Sequence, residues 1–365
     1  MKRIGCGFLI MVLILFFLVA EFLPDEAARI LSNNPFESGS STTIEDGTHN
    51  KGIVLNQEES DDKKEEIFNT DSLLYYIGKG EGDVLANFGE PVRKDPSAYG
   101  YIWWVYDSDD RYVQIGIESG QVVTAIGMGE NVVIEPFTIG SDYHNLLSQY
   151  QFEEQVSLSK GTNSYRFELS AEELRSRPLI EYEDKWVQLY FDTFTNKLSS
   201  IRILDRETLL VKRPYSMTYR GSIPEPPTLS ADVWKAVEAG AARQILDMTN
   251  MIRVRHQLNR LEWDREVSDV AYLHSEDMST NQYFSHTSPQ FGQLKDRLER
   301  NDVLFQLAGE NIAAQYVDSL AAVEGWLNSE GHRVNLLNDE FTHLGVGIYE
   351  KYYTQNFITP WNAFD

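Results

Sequence analysis

Four prolines between positions 214 and 227 decide how this chain can be divided: Pro214, Pro224, Pro226 and Pro227. Each removes a backbone donor and restricts the residue before it, so the stretch resists helix and central strand alike. It is also poor in apolar side chains that could join two cores. The patterned sequence on either side is therefore expected to form two separate units, with residues 216–231 as an extended linker. A length of 365 residues fits that division. The single cysteine, Cys6, permits no intrachain disulfide, so stability has to come from packing.

The N-terminus sets the compartment. Met1-Lys2-Arg3 precedes an apolar run from Ile4 to Ala20, a basic start followed by a span at the lower limit for crossing a bilayer. Leu18 and Ala20 fit a cleavage site poorly, so residues 1–23 read as an uncleaved signal anchor, with a cleaved signal peptide as the alternative. The basic end belongs inside and the bulk outside. Residues 24–70 are polar and acidic, with Ser38-Gly39-Ser40-Ser41 and Glu58-Glu59-Ser60-Asp61-Asp62, and are expected to be a disordered tether. A net charge of −24 argues against nucleic acid and anionic headgroups as main partners.

Residues 71–215 alternate between helical and strand patterns. Val84-Leu85-Ala86-Asn87-Phe88 reads as a helix stopped by Gly89-Glu90-Pro91. Runs at 101–106, 112–117 and 121–126 read as strands parted by turn residues. The order recurs: Leu146 to Tyr150 echoes the helix, and Phe167-Glu168-Leu169, 185–191 and 198–204 echo the strands. Two helix-plus-antiparallel-hairpin repeats follow. Trp103 and Trp104 fall on opposite faces of one strand, so core packing explains the aromatic cluster better than a glycan-stacking face.

Past the linker, three short phrases stand out: Phe284-Ser285-His286, Gly309-Glu310-Asn311 and Gly331-His332-Arg333. They bring two imidazoles and a carboxylate from separate segments, a set able to hold zinc with an open position or to move protons. Bland alternatives exist for each. His286 could be a solvated loop histidine. Glu310, ahead of what reads as a helix start at Ile312-Ala313-Ala314, could be a first-turn carboxylate. His332, at the end of the helix carrying Trp326, could answer the helix dipole. His343 reads as a surface residue and His274 as a packing one. Ser329 could serve as a nucleophile only with a base in contact.

In this order, with Asn250, Arg253, Leu261, Trp263, Trp326 and Gly345-Val346-Gly347 around them, the phrases resemble the CAP family: cysteine-rich secretory, antigen-five and pathogenesis-related proteins. The likeness is to the cysteine-free bacterial branch and runs from about residue 232 to the end. It implies an α-β-α sandwich over 232–365, so the whole reads as α+β. The region before it resembles the accessory domain that precedes CAP domains in spore-forming Gram-positive bacteria. The family lines its cavity with two histidines and two acids. His286, His332 and Glu310 match three of these, while the second acid falls on Ser329. Zinc or another divalent cation is implied on His286, Glu310 and His332, which are also the candidate catalytic groups. Asn311, Ser329 and Asn335 are placed around a ligand. The expected function is a membrane-tethered, extracytoplasmic protein binding a small or lipid-like ligand or a metal at the cell envelope. A metal-assisted hydrolase of an envelope peptide or ester and a structural adaptor for an envelope component are the alternatives.

Overall fold

The computed structural model describes residues 72–361, which belong to one compact unit. The anchor at 1–23 and the acidic tether at 24–70 lie outside those residues. Among the described residues, no helix is long and apolar enough to cross a membrane.

The first half opens with α1 (Leu73–Tyr76) and α2 (Glu81–Phe88), then runs β1 (Arg93–Pro96), β2 (Ile102–Asp107), β3 (Tyr112–Glu118) and β4 (Gln121–Met128). The second pass starts at α3 (Tyr143–Tyr150), adds β5 (Gln155–Lys160), β6 (Asn163–Glu168) and α4 (Ala171–Ser176), and continues β7 (Leu179–Tyr182), β8 (Lys185–Asp192), β9 (Lys197–Leu204) and α5 (Arg206–Lys212). The two meanders join edge to edge through β4 and β9 in a seven-stranded sheet ordered β1-β2-β3-β4-β9-β8-β7. Joining the edges leaves neither of these strands open to another chain. Phe167 is not in that sheet. It lies on β6, in a separate three-stranded sheet ordered β10-β6-β5. The third strand, β10 (Ser216–Arg220), occupies the start of the expected linker, because Pro214 lies before it and leaves its donors free to pair with β6.

The second half contains α6 (Ala231–Arg255), β11 (Glu262–Trp263), α7 (Arg265–Thr280), α8 (Leu294–Arg300), β12 (Phe305–Ala314), α9 (Ser319–Leu327), α10 (Glu330–Leu336), β13 (His343–Tyr349) and β14 (Tyr352–Pro360). Its sheet is ordered β11-β13-β14-β12 and sits between helices. Along β13 the sides alternate. Leu344, Val346 and Ile348 join the core that contains α6, while Gly345 and Gly347 lie against α7. A Cβ at Gly347 would come within 1.8 Å of the Tyr272 nitrogen, so the helix rests on bare backbone. Arg253, fully buried on α6, donates to the carbonyls of Asn259, Leu336 and Asn338 and so ties down the end of α10.

Two expectations for the second half change. Ile312-Ala313-Ala314 continues a strand: β12 pairs with β14 along its length, and that pairing overrides the helical preference of the alanines. His332 does not end the helix of Trp326. That helix stops at Leu327, the chain turns extended at Ser329, and α10 begins anew with His332 in its first turn.

The halves are not independent. One apolar core contains Tyr101, just before β2, and Trp103 and Tyr112 of the large sheet together with Ile245 and Met248 of α6 and Val323 and Trp326 of α9. Trp104, on the opposite face of β2, packs in another core, so both tryptophans are interior. Burying a large apolar side chain contributes about 1.5–3 kcal/mol, so the seam carries a substantial share of the stability. It also holds buried charge: Asp318 accepts from the Arg202 guanidinium and, at 2.7 Å, from Lys212 Nζ. The prolines separate the chain's pattern without separating its core.

Candidate ligand site of two histidines

The three phrases meet. His286 lies in the loop after α7, Glu310 near the middle of β12 and His332 in the first turn of α10. His286 Nδ1 donates to Glu310 Oε1 at 2.9 Å, since an ionised carboxylate only accepts. The neutral ring is thereby left with a lone pair on Nε2. His332 Nδ1 lies 2.8 Å from Ser329 Oγ, and either atom can donate. His332 can therefore offer a lone pair or an N–H at Nε2. Among the described residues neither Nε2 makes a hydrogen bond. Burial lowers the pKa of His332 and favours its neutral form. The His286 side chain is 56% exposed, so the pair faces solvent.

Glu310 takes a different role from the expected metal ligand. Its side chain is 4% exposed and both oxygens are engaged, Oε1 by His286 and Oε2 by the Arg297 guanidinium. Arg297 also donates to the carbonyls of His286 and Gly292, at 2.9 and 3.0 Å, which fixes the loop. Behind them lies His274, 1% exposed. Its Nε2–H donates to the Ser285 carbonyl at 3.1 Å and approaches Glu310 Oε1 at 4.0 Å. Burial lowers its pKa. His274 thus packs, as expected, but it packs beneath the site and anchors the residue before His286. Among the described residues, no three His, Cys, Asp or Glu side chains are grouped to hold a metal. The donor set fits two imidazoles with a carboxylate behind one of them, the arrangement that orients a histidine ligand. It does not fit a three-ligand centre.

The other candidates sort by what they touch. Asn335 Nδ2 donates to the Glu310 carbonyl at 3.1 Å and to Asn311 Oδ1 at 3.0 Å. Asn311, fully buried, donates to the His332 carbonyl at 3.1 Å and to Gln355 Oε1 at 3.2 Å. Asn311 is therefore spent on joining β12 to α10 and cannot face a ligand. Gly309 is required beside them, because a Cβ there would come 2.8 Å from Phe341 and 2.9 Å from Asn335 Oδ1. Ser329 does face His332. His343 lies elsewhere, bonded to Thr342 and 3.6 Å from Glu262. On the far side of Arg297 and His274 lies a cleft of about 410 Å³ whose apolar wall includes Val270, Leu273 and Phe291. Sequence reasoning missed Arg297: an arginine on a short charged helix carries no local signal that its guanidinium reaches a carboxylate 13 positions away.

Comparison with known proteins agrees with this fold. The CAP-associated N-terminal model matches residues 77–215, and the cysteine-rich secretory protein family model matches residues 246–360. The Bacillus subtilis (strain 168) membrane protein YlbC is 49% identical over 308 residues, which is 84% of this chain and 89% of that one. YkwD of the same organism is 39% identical over 118 residues, 32% of this chain and 46% of its own length. The crystal structure of an extracellular protein containing a SCP domain from Bacillus anthracis str. Ames superposes with a TM-score of 0.77 at 49% identity, covering 84% of this chain and all of that one. A cysteine-rich secretory protein from Staphylococcus aureus shares the fold, with a TM-score of 0.71 at 23% identity and coverage of 79% and 92%.

Proposed function

The chain belongs to the CAP family, the cysteine-rich secretory proteins, and on that premise we propose that it is a membrane-tethered, extracytoplasmic binding protein whose ligand is taken between His286 and His332. The observation that carries this reading is the pair of Nδ1 contacts. Glu310 and Ser329 each hold one ring by Nδ1, which leaves both Nε2 atoms to a ligand. His286 contributes an acceptor, and His332 contributes a donor or an acceptor according to how Ser329 turns. A small polar group is matched by such a pair. The membrane anchor is the apolar run at residues 4–20, and the name of the Bacillus subtilis relative is in keeping with it.

A divalent cation enters this reading as a ligand of the two Nε2 atoms. Bound there, it would act as a Lewis acid that anchors a ligand oxygen or nitrogen. His286 and His332 would hold it, and Glu310 and Ser329 would orient them. Calorimetric titration of the full-length chain with zinc tests this. Binding should be weak and should be lost in both His286→Ala and His332→Ala. Equal binding by either variant would show that the two rings do not form one site.

The contact between Ser329 Oγ and His332 Nδ1 gives the hydrolase alternative a specific form, a nucleophile beside a base. Against it, His332 Nε2 meets no orienting group among the described residues, and a serine three residues before a histidine at a helix start is also a local pairing. Binding without catalysis predicts no covalent labelling of Ser329 by a fluorophosphonate. Labelling that disappears in His332→Ala would favour the enzyme.

A further inference from the structure

The start of α10 is held differently from its end. The end is tied within the second half, by Arg253 on the Leu336 and Asn338 carbonyls. At the start, Ser329 stands where a serine ordinarily accepts from an amide of the first turn. Its side chain makes no such bond, and its Oγ meets the His332 ring instead. The helix start therefore has to be fixed by other groups.

Those groups belong to the first half. The turn between β8 and β9 reaches the junction of α9 and α10 with Asp192, Thr193 and Phe194. Asn328, the residue before Ser329, accepts on Oδ1 from the Thr193 amide at 2.7 Å and from its hydroxyl at 2.8 Å. Its Nδ2 donates to the Phe191 carbonyl at 2.9 Å. Arg333, the residue after His332, donates from both terminal nitrogens to the two Asp192 oxygens, each at 2.9 Å. The guanidinium also lies over the Phe194 ring, 4.7 Å from its centre. One contact thus fixes the chain just before the serine and the other just after the histidine. The Asp192 carboxylate is buried and locked in its own turn, because Oδ1 accepts from the Phe194 and Thr195 amides at 3.0 and 3.3 Å. A two-pronged arginine–carboxylate pair sets direction as well as distance. Successive side chains on a helix are turned by about 100°. Fixing the direction of Arg333 therefore fixes the side on which His332 leaves α10.

We propose that the first half is a working part of the histidine site: its β8–β9 turn sets the direction of the His332 ring, with Asp192 as a positioning residue that acts through Arg333. The proposal rests on the reading of His286 and His332 as one ligand site. It adds that ligand affinity depends on the first half, although among the described residues no hydrogen bond joins that half to either ring.

Asp192→Asn tests this in the full-length chain. The amide keeps an oxygen for its own turn and loses the charged, two-pronged contact with Arg333. Zinc affinity is read by calorimetry, and the His332 ring by nuclear magnetic resonance of the zinc-free chain. Zinc should weaken about tenfold, the usual loss when a group that orients a ligand is removed, and the ring resonances should shift. Arg333→Lys keeps the charge but loses the fork, and should act in the same direction. It leaves in place the approach of His256 to Asp192 at 3.7 Å. The comparator is Arg260→Gln, which breaks another contact between the halves, the bonds to the Ser108 and Asp109 carbonyls at 2.8 and 3.1 Å. It should leave both zinc affinity and the ring resonances at their original values. Unchanged ring resonances or unchanged zinc affinity in the Asp192 and Arg333 variants would overturn the proposal. So would a loss of zinc affinity in Arg260→Gln equal to that in Asp192→Asn, since the seam would then act only through general stability. If the unaltered chain binds no zinc, the two-imidazole reading fails, and the ring resonances alone decide the positioning role.

Discussion

Two buried carboxylates, each flanked by cationic or proton-donating side chains, sit in different regions of this molecule and behave differently. At the seam, Asp318 is held by Arg202 and Lys212, whose side chains have no exposure, and it caps α9 by accepting from the Ala321 amide at 3.2 Å. At the histidine site, Glu310 is held by Arg297 on its buried side and by His286 on a side open to solvent. The seam engages both Asp318 oxygens with cations from the other half. The site closes Glu310 on one face only and leaves the second nitrogen of its histidine to the outside. A closed cluster stores its cost in folding and resists removal of a member. A cluster with one open edge tolerates loss better and keeps a group for a ligand.

The largest effect should follow from opening the seam. Asp318→Asn keeps the shape but leaves Arg202 and Lys212 as unpaired buried cations, and should cost about 3–5 kcal/mol of unfolding free energy in denaturant titration. A loss below about 1 kcal/mol would show that water already reaches the seam, and the comparison would fail. Glu310→Gln strips the charge opposite Arg297 but leaves an open edge, and should cost about 1.5–3 kcal/mol. Zinc binding should weaken as well, because His286 loses the group that orients it. If Glu310→Gln costs as much as Asp318→Asn, open and closed clusters are energetically alike and the distinction collapses.

Much of this was legible beforehand. The period of apolar residues located the long helices and the strands of the large sheet, and the three phrases located both imidazoles and the carboxylate. What stayed hidden depends on where elements land in space. Arg297 acts through a contact that no local pattern encodes. The strand at Glu310 read as a helix because alanines favour helix until a partner such as β14 is present. The prolines read as a boundary between units because proline reports on backbone geometry, whereas the seam is made by Trp103, Trp326 and their neighbours, which look like ordinary core residues of separate domains.

Acid separates the two regions by pH window. His274 and His332 are both pushed below the ordinary histidine value of 6.5 by burial. The unfolded chain takes up protons there before the folded one does, so stability should decline as pH falls below about 6.5 and level off once the folded rings are protonated too. Asp318 is held well below the usual carboxylate value of 3.8 by Arg202 and Lys212. Its contribution is present above 3.8 and is lost as pH falls further. Denaturant titration across this range should show two separate declines. His274→Gln should flatten the upper one and Asp318→Asn the lower one. A single decline confined to the carboxylate range would mean that the folded rings bind protons as readily as free histidine.

The smallest effect on stability should come from Ser329. It is half-buried and its hydroxyl contacts only the His332 ring among the described residues, so Ser329→Ala should cost no more than about 1 kcal/mol in unfolding. Its effect on the site should be larger than its effect on the fold. A metal taken by His332 Nε2 requires the proton on Nδ1, and the serine oxygen is the acceptor that holds it there. Removing that acceptor should weaken zinc about tenfold, in line with the usual loss of a group behind a ligand. Ser329→Glu should act in the opposite sense, because a carboxylate restores the second acid of the family's tetrad beside the same ring. If alanine and glutamate at 329 leave zinc affinity equal, Ser329 is a helix-start residue whose contact with His332 has no bearing on the ligand. If glutamate tightens binding while unfolding free energy stays constant, the open edge of this cluster is the part of the molecule tuned for binding.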